Sequence, residues 1–161
     1  MDDIVIRQAT SADVETIGQL WEKLVEYHRD VDSRLPVASE NGDKLYARRI
    51  LDRLDDSHTR ILVAEHDDQI VGFTLGVIVD LVPEMFQQEM GGFLADIFVE
   101  DAYRRQGVGR LLVDTLMTWF KSRGVTYMEL YVATQNDSGR AFWQELGGSD
   151  IMTRVRLSLK D

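Results

Sequence analysis

Ile97-Phe98-Val99-Glu100-Asp101-Ala102-Tyr103-Arg104-Arg105-Gln106-Gly107-Val108-Gly109-Arg110-Leu111-Leu112 contains a change of period. Apolar residues run together up to Val99, as in a buried strand, and recur at helical spacing from Val108. Between the two, the chain turns, and Gly107 and Gly109 open the helix. The first turn of any helix carries backbone N–H groups with no partner inside the helix. Together with the positive end of the helix dipole they attract an anion. Glycines remove the Cβ atoms that would hold phosphate oxygens away from the backbone. Arg104, Arg105 and Arg110 add positive charge at the same place. A pyrophosphate is the natural guest of such a loop. Two familiar phosphate motifs are excluded. The P-loop needs Gly-Lys-Ser or Gly-Lys-Thr, and neither occurs. The dinucleotide fingerprint needs a third glycine where Leu112 stands.

Working outward, Val108, Leu111, Leu112, Thr115, Leu116 and Trp119 share one face of a helix over Gly107–Ser122, and Gly124 closes it. Upstream, Gly92–Glu100 reads as a strand. Arg60–Glu65 and Ile70–Asp80 read as a hairpin turning at residues 66–69. The loop Leu81–Gly91 carries Pro83, Met85, Phe86 and Met90, which either line a pocket or fold over the sheet. Nearer the N-terminus, Ile4–Ile6 reads as a short strand. Thr10 and Asp13 form a capping pattern. Ile17, Leu20, Trp21, Leu24, Val25 and His28 make one helical face, with His28 at its edge rather than a ligand. After a polar connection over 29–42, a second helix is expected over Asp43–Leu54 with Leu45, Ile50, Leu51 and Leu54 inward. Downstream, Val125–Val132 reads as a strand, and Asn136 starts a short helix to Leu146. Gly147-Gly148 stops it, and Thr153–Leu159 reads as a last strand. No repeat or long linker divides the chain. The expectation is one domain over residues 1–161, of mixed α/β (α+β) type.

Composition narrows the chemistry. In 161 residues, hydrophobic side chains make up 44% and charged ones 29%, an ordinary globular balance. The absence of cysteine excludes disulfides, thiolate zinc sites and a cysteine nucleophile. A net charge of −10 argues against a nucleic-acid partner and is compatible with a cationic substrate. Met1-Asp2-Asp3 is acidic where a secretory signal is basic, and no apolar run is long enough to span a bilayer. The expectation is a cytoplasmic protein with no membrane partner.

What remains is Arg104-x-x-Gly107-x-Gly109 after a strand and before an amphipathic helix, with Asp96-Ile97-Phe98-Val99 upstream and Asn136 then Ala141-Phe142-Trp143-Gln144-Glu145-Leu146-Gly147 downstream. In these features the chain resembles the GNAT superfamily of N-acetyltransferases over nearly its whole length. The resemblance implies a central, mostly antiparallel, twisted sheet of 6–7 strands, splayed between the fourth and fifth and flanked by about four helices. It implies acetyl-CoA as cosubstrate, with no metal. Backbone groups of Ile97 and Val99, with Phe98 between them, would pair with the pantetheine arm. The loop Arg104, Arg105, Gln106, Gly107, Val108, Gly109 and Arg110 would hold the pyrophosphate. Asn136 would touch the pantetheine or its sulfur end, a role that can coexist with capping a helix. The last strand and the Leu81–Gly91 loop are candidate homodimer surfaces by the same resemblance.

The implied reaction is direct attack of a primary amine on a thioester. An alkylamine is mostly protonated at neutral pH, so a base is needed, directly or through water. The oxyanion needs a donor, for which the Val99 N–H is the candidate. Many relatives have a tyrosine acid where this chain has Trp143, whose indole N–H can hydrogen-bond a sulfur but is a poor proton donor. A glutamate base found in others is Phe93 here. Leu94-Ala95-Asp96-Ile97-Phe98-Val99 is similar to the corresponding string of spermidine/spermine acetyltransferases, which leaves Asp96 as candidate base or amine-binding group; its other reading is a carboxylate paired with an arginine. Tyr131 is the fallback acid, and Glu100 and Glu129 are second-rank acids. Two functions stay open. One is an N-acetyltransferase for a small cationic amine or polyamine, or for a peptide or protein amine. The other is a coenzyme A-binding sensor that has lost catalysis.

Overall fold

The computed structural model describes residues 3–80 and 82–161. Met1, Asp2 and Leu81, the first residue of the expected 81–91 loop, lie outside the described residues. The chain divides into two units, residues 1–131 and 132–161.

In the first unit, a five-stranded sheet runs in the order β1 (Val5–Gln8), β2 (Thr59–His66), β3 (Gln69–Val79), β4 (Gly91–Val99), β5 (Met128–Glu129). The first three pairings are antiparallel and the last is parallel. Asp67 and Asp68 turn the β2–β3 hairpin with φ of 49° and 60°. Two positive φ values twist the turn to suit the strands, and aspartate tolerates that region.

α1 (Val14–Val31) and α2 (Gly42–Arg53) cover one face of the sheet, and α3 (Val108–Ser122) covers the other. The Asp13 carboxylate accepts the Thr10 N–H at 2.7 Å ahead of α1, as the capping pattern requires. Helices α1 and α2 meet through glycines. A Cβ at Gly18 would stand 2.4 Å from the Asp43 carbonyl oxygen, and one at Gly42 2.8 Å from the Trp21 ring. That close approach sets the rotation of α2. Tyr46 and Ile50 face the core, while Leu45 and Leu51 are 62% and 48% exposed. The expected inward Leu45 and Leu51 are therefore corrected: the buried stripe follows Gly42, Tyr46 and Ile50 at intervals of four. Ile17, Leu20, Tyr46, Ile50, Phe73, Leu75 and Phe98 form the core on this side. On the other face, Leu112, Leu116 and Phe120 of α3 lie over Gly72, Gly76 and Gly92.

The expected splay falls between β4 and β5. They pair only at Gly92–Met128 and Phe93–Glu129, so the expected strand over 125–132 shortens to two residues. From Leu94 to Val99, no described strand of this sheet pairs with the outer edge of β4. Among the described residues the sheet has five strands in place of six or seven. In the second unit, α4 (Asp137–Glu145) is capped by Asn136, whose side chain accepts the Gly139 N–H at 3.1 Å. The expected strand over Thr153–Leu159 does not form among the described residues, and Val155, Leu157 and Leu159 are exposed. Their alternation supplies the pleat, but a strand also needs a neighbour for its backbone groups. No described helix is long and apolar enough to cross a membrane.

Candidate active site

The site is organised by β4, and a bulge in that strand decides where its side chains go. Gly76 pairs with Leu94 and Leu75 with Asp96, leaving Ala95 as the extra residue. In a regular strand, Leu94 and Asp96 would share a face. Gly76 faces Leu116 of α3, and Leu75 lies in the core beneath α1 and α2. The bulge thus sends Leu94 to the α3 face and turns Asp96 towards α2.

There the Tyr46 hydroxyl donates to Asp96 Oδ2 at 2.8 Å. Tyr46 is itself fixed, stacked on Trp21 with centroids 5.1 Å apart and set edge-on to Phe73 at 6.0 Å. Burial pushes the Asp96 carboxyl up to about 6, opposed by the Tyr46 hydrogen bond and by the Arg49 charge. Burial and the neighbouring carboxylate hold the Tyr46 phenol well above its ordinary value, so it remains a donor. The alternative reading of Asp96, an ion pair with an arginine, is not found among the described residues: its hydrogen-bond partner there is a tyrosine, and Arg49 acts on it only through its charge.

Beyond Asp96, the backbone of β4 is directional. The Glu100 N–H donates to the Val71 carbonyl on the β3 side, at 2.8 Å. Strand alternation therefore points the polar backbone groups of Ile97 and Val99 to the opposite, open edge. The Val99 carbonyl there accepts from Arg104 Nε at 2.9 Å, so the Val99 N–H is the group left facing the opening. Phe98 is buried in the core between them.

The following loop delivers its donors by backbone conformation. Arg105 and Gly107 have φ of 59° and 86°, and Gly107 caps α3. The first bond inside the helix runs from Leu111 N–H to the Gly107 carbonyl at 3.0 Å. The N–H groups of Val108, Gly109 and Arg110 precede it and have no acceptor within the helix. Space around the Cα of Gly107 is open. This donor set fits a pyrophosphate, and the unpaired β4 edge leading into it fits the amide-bearing pantetheine arm.

The arginines divide. Arg105 is exposed and Arg110 lies 3.8 Å from Asp114 along α3. Arg104 turns inward: besides the Val99 carbonyl it meets Asp101 at 3.1 Å and lies over the rings of Tyr27 and Phe98, at 4.6 and 5.1 Å. It braces the loop rather than offering its charge freely. Gln106 bonds the Ala102 carbonyl at 2.7 Å and does the same.

Of the other candidates, Tyr131 is 84% exposed, its ring edge-on to Phe93 at 5.5 Å. Glu100 is paired with Lys23 at 2.5 Å. Asn136 and Trp143 belong to the second unit, where Asn136 caps α4 and Trp143 packs edge-on against Phe142. Asp96, Ile97–Val99 and the 104–110 loop come together on one strand and its continuation. Tyr46 is the site residue that sequence reasoning missed; its one signal was the Gly42, Tyr46, Ile50 stripe.

The profile of the acetyltransferase (GNAT) family matches residues 18–148. The chain is 24% identical over 144 residues to the uncharacterized N-acetyltransferase YhfO of Bacillus subtilis (strain 168), covering 88% of this chain and 87% of that protein. Its fold superposes on a mutant of the BH1408 protein from Bacillus halodurans with a TM-score of 0.87, at 24% identity, covering 97% and 99% of the two chains. It also superposes on the aminoglycoside N-acetyltransferase AAC(6')-Iy in complex with CoA, with a TM-score of 0.74 at 22% identity, covering 98% and 94%.

Proposed function

The chain belongs to the GNAT acetyltransferase family, and on that premise we propose that a single domain over residues 1–161 transfers an acetyl group from acetyl-CoA to the primary amine of a small cationic molecule. The observation that carries this reading is the course of β4. Within a few residues it runs from a half-buried carboxylate, past an unpaired edge, to the N–H groups that open α3.

Acetyl-CoA, when bound, supplies the thioester. The loop N–H groups from Arg105 to Arg110 hold its pyrophosphate, and the edge groups of Ile97 and Val99 hold its arm. Asp96 receives the ammonium. Its acidity, pushed by burial up to about 6, suits it to take a proton and give it back to solvent. The amine nitrogen then forms the C–N bond as the C–S bond breaks, and the Val99 N–H steadies the carbonyl oxygen. Of the two protons the ammonium nitrogen loses, one passes through Asp96 to solvent and one leaves with the thiol. Tyr131 is the fallback acid for the sulfur. The acidic surface favours a cationic acceptor. AAC(6')-Iy, of like fold, is by name an aminoglycoside N-acetyltransferase. The exposed Met85 and Phe86 of the 82–91 loop support a homodimer, which sedimentation over a concentration series tests.

The deciding experiment incubates the protein with acetyl-CoA and a panel of polyamines, aminoglycosides, amino acids and peptides, and follows free thiol. Thiol release with a small cationic amine is the expected outcome. Thiol release with peptides alone would move the acceptor to a peptide or protein amine. A raised Tm with coenzyme A but no thiol release across the panel would make the protein a coenzyme A sensor.

A further inference from the structure

Tyr46 lies fifty residues before Asp96 in the chain, on a helix that contributes nothing to the cofactor loop, yet its side chain is built into the site. It is buried, and three elements fix its ring: Trp21 of α1 stacks on it, Phe73 of β3 meets it edge-on, and α2 carries it. Packing that its ring alone would satisfy has been given a hydroxyl, and that hydroxyl reaches one acceptor, Asp96 Oδ2, at 2.8 Å. Oδ1 has no hydrogen-bond partner among the described residues.

We propose that Tyr46 is a positioning residue for Asp96: its hydroxyl holds Oδ2, fixes the carboxylate plane, and leaves Oδ1 as the oxygen that takes the proton of the acceptor amine. This rests on the reading of Asp96 as the base. The same bond sets the poise of the carboxylate. Burial favours the neutral acid, and a hydrogen bond donated to the charged form opposes that. The titratable and charged groups acting on Asp96 are Tyr46 and Arg49, both from α2. From β3, Leu75 stands opposite it, and the Thr74 hydroxyl bonds its backbone carbonyl at 2.9 Å. From α1, Trp21 stands behind Tyr46. Without the phenol, the carboxylate keeps the burial and loses its one hydrogen-bonded donor.

The test is Tyr46→Phe, which keeps the ring and its stacking. Two measurements are made on the full chain: the titration of the Asp96 side-chain carboxyl carbon by NMR, and the pH dependence of kcat with the best acceptor of the panel. Both midpoints should rise together by about one unit. The rate well above the new midpoint should return to within a few fold of the parent, with KM for acetyl-CoA unchanged. Fluorotyrosine at position 46, a stronger donor of the same shape, should move both midpoints down, and it supplies the test if the phenylalanine variant folds poorly. A carboxyl midpoint that ignores both substitutions overturns the proposal. So does a loss of rate that is equal at every pH, the mark of a merely structural role. If no acceptor is turned over, the transfer reading fails, while the NMR titration still tells whether Tyr46 holds Asp96.

Discussion

The middle and the C-terminal end of β4 are built from different materials. Its C-terminal end and the loop beyond it form a binding site from backbone: the open edge at Ile97 and Val99, positive φ at Arg105 and Gly107, and N–H groups opening α3. Its middle forms a site from side chains, Asp96 held by Tyr46 from another helix. A backbone site depends on what is missing, namely Cβ atoms and a neighbouring strand. A side-chain site depends on what is present and on what holds it. Substitutions should therefore fail differently in the two regions, by obstruction at the C-terminal end and by loss of a named group in the middle.

The largest effect is expected in the middle. Asp96→Asn keeps the shape and an acceptor for the Tyr46 hydroxyl but cannot take a proton. Turnover should fall by roughly 10²–10⁴-fold, the usual worth of a general base, with coenzyme A affinity nearly intact by calorimetry. Equal losses of turnover and affinity would erase the distinction between the middle and the C-terminal end. The same variant should be more stable. The carboxyl holds its proton more tightly when folded, at about 6, than at its ordinary 3.8. The folded state is therefore penalised progressively as pH rises through that interval, and fully at pH 7. By linkage the penalty is about 3 kcal/mol, an upper figure for the gain because the new amide also needs partners. Denaturant titration should show the gain at pH 7 and its disappearance below about pH 4. A variant that is less stable at pH 7 would mean that the carboxylate is better satisfied than its burial suggests.

At the loop, Gly107→Val should weaken coenzyme A binding about a hundredfold. The residue must hold φ of +86°, which a β-branched side chain resists. Gly109 sits inside the first turn of α3, where valine is tolerated by the backbone. Gly109→Val should therefore lose affinity through crowding of the phosphates alone, with little change in Tm, whereas Gly107→Val should lose both. Calorimetry and thermal melts on the pair check this. Intact affinity in both variants would put the pyrophosphate elsewhere.

The contrast also explains what could be read in advance. The loop was legible because glycine spacing and a change of period report directly on backbone. The hairpin turn at Asp67-Asp68 and the Thr10–Asp13 cap were legible for the same local reason. The middle of β4 was half legible: Asp96 stood out as an acid in an apolar strand, but its direction depends on the bulge at Ala95, and alternation alone would have placed it beside Leu94. The face of α2 was misjudged because Leu45 and Leu51 outweigh Tyr46 in hydrophobicity, while the close approach of Gly42 to Trp21 sets the rotation. The segment 153–159 carries a strand's alternation, yet no residue in it reports whether a neighbour exists.

The smallest effects separate two adjacent arginines. Arg104 and Arg105 read alike in sequence, as positive charge beside a phosphate loop. In the structure Arg104 spends its guanidinium on the Val99 carbonyl, on Asp101 and on two aromatic rings, while Arg105 is exposed. Arg104→Met should cost about 1–2 kcal/mol of stability, from a hydrogen bond and cation–π contacts, and lower Tm by a few degrees. It should also free the Val99 carbonyl at the edge where the pantetheine arm is proposed to lie. Arg105→Met should leave Tm unchanged and weaken coenzyme A binding about two- to fivefold at low salt, the worth of an exposed charge. That loss should fade as ionic strength rises, because screening acts on exposed pairs. If instead Arg104→Met shows the salt-dependent loss at unchanged Tm, Arg104 leaves its inward partners when the cofactor binds. The loop would then be a side-chain site too, and the division of β4 into a backbone end and a side-chain middle would not hold.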